Sequence, residues 1–439
     1  MPQASTPRTL VVNFNSPELN QLALALAESD KLEAYVRPYI NKGRAWERTL
    51  STLPLAGRVY GSTFGRRRVA SPALAALTRE AGIWPDLCAA AIGRMHALPA
   101  TLRHRWTNQL YMRVRDAVAQ AASRAAENVH CVVAYEGFAL PAFKAFKERG
   151  ACATVLNYPV AHHIQRRRVR LEECEREPEF AVTWPDFDDW PAGHEERLNE
   201  EIRQADAVLV GSSYARDSFV AQGIDRGKMR VVPYGVDLQT FTPPPSPTRS
   251  GRFSAIYAGQ LTQRKGLSYL LRGYRKFARH DTRLTLVGSV VGSDRPLHAF
   301  ADMFEHVAHQ TRPALAAMYR ASDVFVFPTL IEGMPLVVLE AMACGLPVIV
   351  TANGPADIVR DGIDGFIIPD RDEDALCARL EQLYRQPELR IEMGRQAARR
   401  AREFGWGAYT AKARQVLAEL TSGTQSEPQQ PADAWTGIA

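Results

Sequence analysis

The sequence predicts an α/β protein built in two parts, and three observations carry that expectation. Short apolar runs of the kind buried in parallel sheets alternate with stretches of helical pattern. A proline-rich segment without periodicity, residues 242–251, divides the chain. Residues 323–351, DVFVFPTLIEGMPLVVLEAMACGLPVIVT, read as strand, loop, helix and strand in direct succession. A length of 439 residues suits two or three domains with ample core.

Residues 9–14 form the first expected strand, 15–18 a turn with helix-start chemistry, and 19–27 a helix. In that turn and helix, Asn15 and Asn20 are candidates for hydroxyl contacts, against the plainer reading as turn and cap residues. Residues 32–40 read as the second strand, and 41–128 as mostly helical. Within the helical region, the run Arg66-Arg67-Arg68 and the cluster His104-Arg105-Trp106 fit either a solvated face or a patch suited to a lipid headgroup layer. Residues 130–135 and 151–156 are further strands, the second running into His162-His163. A histidine pair can bind a metal, but no third ligand lies at a helpful spacing. The arginines of QRRRVR at 165–170 could meet phosphate on an acceptor, or pair with the acidic residues that follow, Glu172, Glu173, Glu175, Glu177 and Glu179. Residues 179–196 read as an ordered insertion, 205–213 as a strand and turn, 214–222 as a helix, and 231–237 close the first part.

The second part opens with a strand at 254–258 and the turn GQLTQRKG at 259–266. Glycine lets backbone approach a phosphate, and Arg264 and Lys265 can neutralise a diphosphate. After a strand at 283–289 comes the 323–351 stretch. Its strand ends at Pro328, Pro335 stands where a helix can begin, and Gly345 can cap that helix. A loop leaving the carboxyl end of a parallel strand opens onto the ligand crevice. The free amides of Leu336 and Val337 would crown a helix N-terminus, a ready anion site. Glu340 falls on the same face one and a half turns inside, while Glu332 precedes the terminus. Two carboxylates flanking an anion site match the layout of a sugar nucleotide: hydroxyls, diphosphate, then ribose hydroxyls. A helix from 354, a strand at 365–369, helices over 373–403 and 406–420, and a disordered tail complete the reading.

EGMPLVVLEAMACGLPVI resembles the two-glutamate signature of retaining glycosyltransferases of family 4. GQLTQRKG is similar to that family's G-R-L-x-x-x-K-G, with Gln260 where an arginine is usual and Arg264 able to supply the charge. The resemblance is strong over residues 205–405 and one of layout over 1–200. It implies a GT-B fold: two Rossmann-like doubly wound domains facing across a cleft. These are residues 1–241 on the acceptor side and 252–405 for the nucleotide sugar, with linker 242–251, a helix at 406–421 crossing back, and a tail at 422–439. It implies that Glu332 contacts the donor sugar near its reacting carbon and that Glu340 holds the ribose hydroxyls. Gly259, Gln260, Gly333, Met334, Leu336 and Val337 would line the donor, and His162 or His163 would hydrogen-bond the sugar. Family members often have Phe-Gly where this chain has Met334-Pro335, so no backbone amide is offered at Pro335. The first loop, NSPELN, is bulkier than the glycine-bearing loop usual there, which leaves the acceptor open.

The implied reaction moves a sugar from a nucleotide diphosphate sugar to an acceptor hydroxyl, with retention and without a bound metal or cofactor. Glu332 would orient the sugar and steady its developing positive charge. The alternatives are another enzyme of this fold, an epimerase or a phosphorylase, and a catalytically silent donor-binding protein. Composition is ordinary for a soluble enzyme, 46% hydrophobic and 23% charged, and no apolar run reaches the ~18 residues of a membrane span. The N-terminus lacks the apolar core of a signal peptide. The six scattered cysteines argue against a zinc site or disulfide framework and fit a cytoplasmic location. A net charge of +6 admits an acidic ligand or peripheral contact with an anionic membrane without demanding nucleic acid.

Overall fold

The structure is a computed structural model and describes residues 7–53, 57, 60–61, 71–93, 95, 100–125, 128–150, 152–184, 193–245 and 251–423. Two sheets organise it. β1 (Thr9–Val12), β2 (Leu32–Arg37), β3 (Thr78–Glu80), β4 (Cys131–Tyr135), β5 (Ala153–Asn157), β6 (Ala207–Val210) and β7 (Met229–Val231) lie in the order β3-β2-β1-β4-β5-β6-β7. β8 (Phe253–Ala258), β9 (Thr282–Val287), β10 (Phe304–Val307), β11 (Val324–Phe327), β12 (Val348–Thr351) and β13 (Gly365–Ile368) lie in the order β10-β9-β8-β11-β12-β13. Pairing is parallel throughout both sheets. Each sheet reverses its winding between its first and fourth strands, and that switch point is where open α/β sheets form their ligand crevice.

Both faces of the strands are buried, which is why they read as continuous apolar runs rather than alternating ones. In β1, Leu10 and Val12 pack into one core and Val11 into another; in β4, Val132 and Ala134 part from Cys131 and Val133 in the same way. Three edge strands, β3, β7 and β10, were not anticipated. β3 has three residues and pairs only with β2, while β10 is the half-exposed FEHV paired only with β9, so neither needs an apolar run. The helix expected from 354 is a single 3-10 turn, Pro355–Asp357. The 373–403 helix is two, Glu373–Arg385 and Pro387–Ala401, because Pro387 has no N–H with which to continue the first.

The chain passes between the two halves twice. Val236 forms an isolated parallel bridge with Gly405. The helix Trp406–Gly423 then packs on the helix Pro17–Glu28, with Ala413, Val416 and Leu417 buried in the same cluster as Leu19 and Leu22. This helix runs two residues into the stretch read as tail; residues 424–439, linker residues 246–250 and Arg66–Arg68 lie outside the described residues. No helix among the described residues is long and apolar enough to cross a membrane.

Candidate active site

The loops leaving β8 and β11, neighbours at the switch point of the second sheet, are stitched together. The β8 loop makes a 3-10 turn, Gln263–Lys265, ended by Gly266 at φ 73°. A Cβ at Gly266 would stand 2.0 Å from the Pro328 carbonyl oxygen, so only glycine allows this approach. The Leu330 amide donates to the Arg264 carbonyl at 3.0 Å. The Arg264 guanidinium then donates to the Ile331 carbonyl at 3.3 Å and to Glu332 Oε1 at 2.8 Å. Lys265 Nζ contacts the same Glu332 oxygen and lies 5.1 Å from the centre of the Phe327 ring.

Two cations thus converge on one buried carboxylate. Burial, and the nearby Arg166, bring Arg264 down to about 10, which leaves it charged at neutral pH. Burial and Arg264 push the Lys265 amine down, and the Glu332 carboxylate in contact with it opposes that push.

Beyond Glu332 the loop turns into the helix Leu336–Ala343. The amides of Leu336 and Val337 donate to no acceptor among the described residues, as expected for a helix N-terminus. Glu340 is buried, and its carboxylate accepts from no described residue. Burial raises it to about 7, with Arg312 opposing and Asp237 adding to the rise. Gly259 and Gly288 close the ends of β8 and β9, where a Cβ on Gly288 would stand 1.8 Å from the Gly259 carbonyl oxygen. The Gln260 side chain is exposed.

The first half of the chain presses on this site. A Cβ at Gly333 would stand 1.8 Å from the Pro159 carbonyl oxygen, and the Gly333 carbonyl accepts from the Ser212 hydroxyl. Asp357 accepts from the Ser213 amide and hydroxyl. Met334 is drawn into this seam: its thioether takes the Tyr234 amide at 2.9 Å and its Cβ abuts Gly211. Its side chain is therefore committed between the two halves rather than free for a donor.

His162 and His163 follow the loop that touches Gly333, but neither hydrogen-bonds Glu332, Arg264 or Lys265 among the described residues. Their rings stack at 4.1 Å, and His162 meets Phe219 edge-on. His162 Nδ1 accepts the Ile164 amide as the cap of the helix His163–Arg176. Burial lowers His162 to about 4 and His163 to about 3, so both are neutral at pH 7. Asn15 is exposed. Asn20 is taken up internally, its carbonyl oxygen accepting from Asn13, Arg37 and the Tyr35 hydroxyl.

Sequence reasoning did not single out two residues whose partners the structure shows. Glu18, read only as part of a turn, is buried and accepts from Asn157 Nδ2 at 3.0 Å; burial raises its carboxyl. Of the 165–170 arginines, Arg166 pairs with the Glu136 carboxylate at the end of β4. Arg167 and Arg168 make exposed pairs with Glu195 and Glu172. A carboxylate beginning the first helix was the available signal for Glu18; nothing in a run of like charges singles out Arg166. A hollow of about 870 Å³ opens elsewhere, between Pro243–Pro245 and the helix Pro387–Ala401, and includes none of these residues.

The family model described as Glycosyl transferases group 1 matches residues 252–386, the part that carries the turn and both glutamates. Over 219 residues the chain is 34% identical to a D-inositol 3-phosphate glycosyltransferase of Pseudarthrobacter chlorophenolicus, covering 46% of this chain and 52% of that one. Over 255 residues it is 31% identical to the protein of the same name from Paenarthrobacter aurescens, covering 53% and 62%. The chain thus spans little more than half the length of the curated relatives it matches. Among solved structures it is similar to sucrose-phosphate synthase from Thermosynechococcus elongatus, with a TM-score of 0.64 at 16% identity over 95% of this chain and 100% of that one. It is also similar to Anabaena HepE in complex with UDP-glucose, with a TM-score of 0.61 at 14% identity over 94% and 99%. With two parallel sheets in this order, these neighbours place the fold as GT-B.

Proposed function

We propose that the protein is a glycosyltransferase that moves a sugar from a nucleotide diphosphate sugar to an acceptor hydroxyl, in glycan, glycolipid or polysaccharide synthesis. The observation that carries the reading is the row formed by Glu332 with its two cations, the Leu336 and Val337 amides, and the Glu340 carboxylate, the last three without hydrogen-bond partners among the described residues. It offers, in order, a partner for sugar hydroxyls, for a diphosphate and for ribose hydroxyls. As the glycosidic bond breaks, charge builds on the diphosphate, and Arg264, Lys265 and the helix terminus meet it without rearrangement. The Arg264 and Lys265 charges take the neutralising part that a metal plays elsewhere.

Transfer with retention fits a Glu332 held between two cations. A carboxylate so paired is a poor free nucleophile but can orient a sugar and steady positive charge at its reacting carbon. His162, neutral and with Nδ1 already accepting, has Nε2–H to donate to a sugar hydroxyl. HepE is in complex with UDP-glucose, and a uridine diphosphate sugar is the first donor to supply.

The first domain also suits peripheral contact with an anionic membrane at the cytoplasmic face. Trp46, Leu53, Trp84, Met95, Leu102 and Trp106 are exposed large apolar side chains, all within residues 45–106. Arg103 and Arg105 stand beside the last two in the chain. Amphipathic aromatics with neighbouring cations suit a headgroup layer.

The test couples nucleoside diphosphate release to the appearance of glycosylated acceptor, with acceptors screened among sugar phosphates and lipid-linked sugars. Release without a glycosylated product would turn the reading toward an epimerase, dependence on inorganic phosphate toward a phosphorylase, and donor bound but never consumed toward a silent binding protein.

A further inference from the structure

The helix His163–Arg176 begins beside the cleft and ends against the second domain, a rod of about 20 Å at 1.5 Å per residue. Near its far end Glu173 is buried with its carboxylate fully enclosed. Among the described residues, its three side-chain donors all belong to the other domain. Gln263 Nε2 and the Tyr269 hydroxyl each donate to Oε1 at 2.7 Å, and Arg371 Nε donates to Oε2 at 2.8 Å.

Gln263 is the first residue of the turn that carries Arg264 and Lys265. It is held at both ends: its amide donates to Thr183 Oγ1 of the first domain at 2.8 Å, and its Oε1 accepts the Ser268 amide at 3.0 Å. One turn further on, Glu177 takes both amino groups of Arg272 at 2.7 Å. Arg371 supports the same picture independently. It sits at φ 61°, a left-handed conformation uncommon for a non-glycine residue, while its guanidinium is clasped between Glu173 and Asp370.

We infer that Glu173 is a positioning residue: it latches the first domain onto Gln263 and so ties the placement of Arg264 and Lys265 against Glu332 to closure of the cleft. The inference rests on the proposed transfer for its catalytic meaning, but the latch itself is a statement about two domains and one turn. A carboxylate with three donors from across a cleft is satisfied only when the cleft is closed; apart, each partner returns to water. Loss of one charge-assisted hydrogen bond shifts such an equilibrium by roughly 10–100-fold.

The experiment uses the whole chain with Glu173→Gln, Tyr269→Phe and the exchanged pair Glu173→Gln with Gln263→Glu. Hydrogen exchange of peptides spanning 259–270, with peptides over β8 and β11 as controls, reads the latch without any substrate. Glu173→Gln should speed exchange in the turn by tenfold or more while the strands hold, Tyr269→Phe should do so less, and the exchanged pair should recover part of the protection. Unchanged exchange in the turn for both single variants overturns the latch, as does equal loosening of turn and strands, which would mark a merely structural residue. Kinetics read the positioning: kcat falls about 10–100-fold in Glu173→Gln with donor KM within about twofold, and partly recovers in the exchanged pair. Wild-type kcat in Glu173→Gln, or a loss confined to KM, overturns it. If the unmodified chain transfers no sugar, the proposed function fails while the exchange result still decides the latch.

Discussion

Replacing Glu332 by glutamine should separate two properties that most active-site changes move together. In this structure one carboxylate oxygen faces Arg264 at 2.8 Å and Lys265 in contact, so the trio carries a single net positive charge. Glu332→Gln keeps the volume and removes the negative charge that occupies the two cations. A nucleoside diphosphate lacks the transferable sugar that residue 332 would touch, and it competes with the carboxylate for the same cations. Two unit charges 4 Å apart are worth about 4 kcal/mol at an effective dielectric of about 20. That figure is a ceiling, since the Arg264 side chain is 24% exposed and salt screens it. A third of it, about 1.4 kcal/mol, corresponds to roughly tenfold tighter diphosphate binding. Sugar transfer should move the other way. Losing one group that stabilises developing charge lowers turnover by roughly 10²–10³-fold. Calorimetric titration of the diphosphate and steady-state turnover of the same preparation provide the two numbers. Diphosphate binding that is unchanged or weaker would refute the competition argument. Turnover at the wild-type rate would remove Glu332 from the sugar.

Lys265→Ala and Arg264→Ala should each cut turnover by roughly 10²–10³-fold with a smaller rise in the Michaelis constant, because both groups act mainly on charge that develops in the transition state. If Arg264→Ala turns over normally, it does not compensate for Gln260. Glu340→Ala should weaken donor binding by roughly 1.5–3 kcal/mol with little change in the chemical step; equal affinity by titration would refute its ribose role. Glu340 also sets a pH dependence. Its carboxyl is raised from 4.5 to about 7, so between those values the folded chain holds a proton that the unfolded chain has lost. Stability from this group therefore falls as pH rises through that window and stays lowest above it. Melting curves should show Glu340→Gln gaining over wild type at pH 8 and much less at pH 5. Co-sedimentation with phosphatidylserine vesicles should be seen at low salt and weaken with added salt, at about 1 kcal/mol per cation near the surface; no co-sedimentation at low salt would sink the membrane contact.

What the sequence disclosed follows from what its local pattern can encode. The strand, loop and helix of residues 324–343 were legible because fully buried parallel strands are continuous apolar runs, and because Pro335 and the glycines punctuate the loop. β10 was not, because an edge strand with half-exposed FEHV has no such run. Glu332 and Glu340 stood out by their spacing around a helix start. The partners of Glu332 were legible as cations of a turn, but not as two donors to one oxygen, since that depends on Gly266 folding the turn against Pro328. Glu173 was read only as an acidic residue after a basic run. Its three donors come from 90, 96 and 198 residues away, and no local pattern reports a contact of that range.

The same reasoning bears on the glutamine at position 260. A cation there would stand at the exposed rim of the β8 loop, where water and salt weaken it. Arg264 instead reaches from a turn that lies against the β11 loop and is only partly open to solvent. In lower dielectric each charge acts more strongly on a diphosphate, but an unpaired cation there carries a heavy desolvation penalty. Glu332 offsets that penalty for Arg264 and Lys265 together. The two cations and the carboxylate therefore form one unit: a buried pair of cations requires the carboxylate, and the carboxylate keeps its place because the cations hold it. Moving the charge from the rim to the floor of the site is then a coherent alternative to the usual arginine, and it places the charge next to the turn that Glu173 holds.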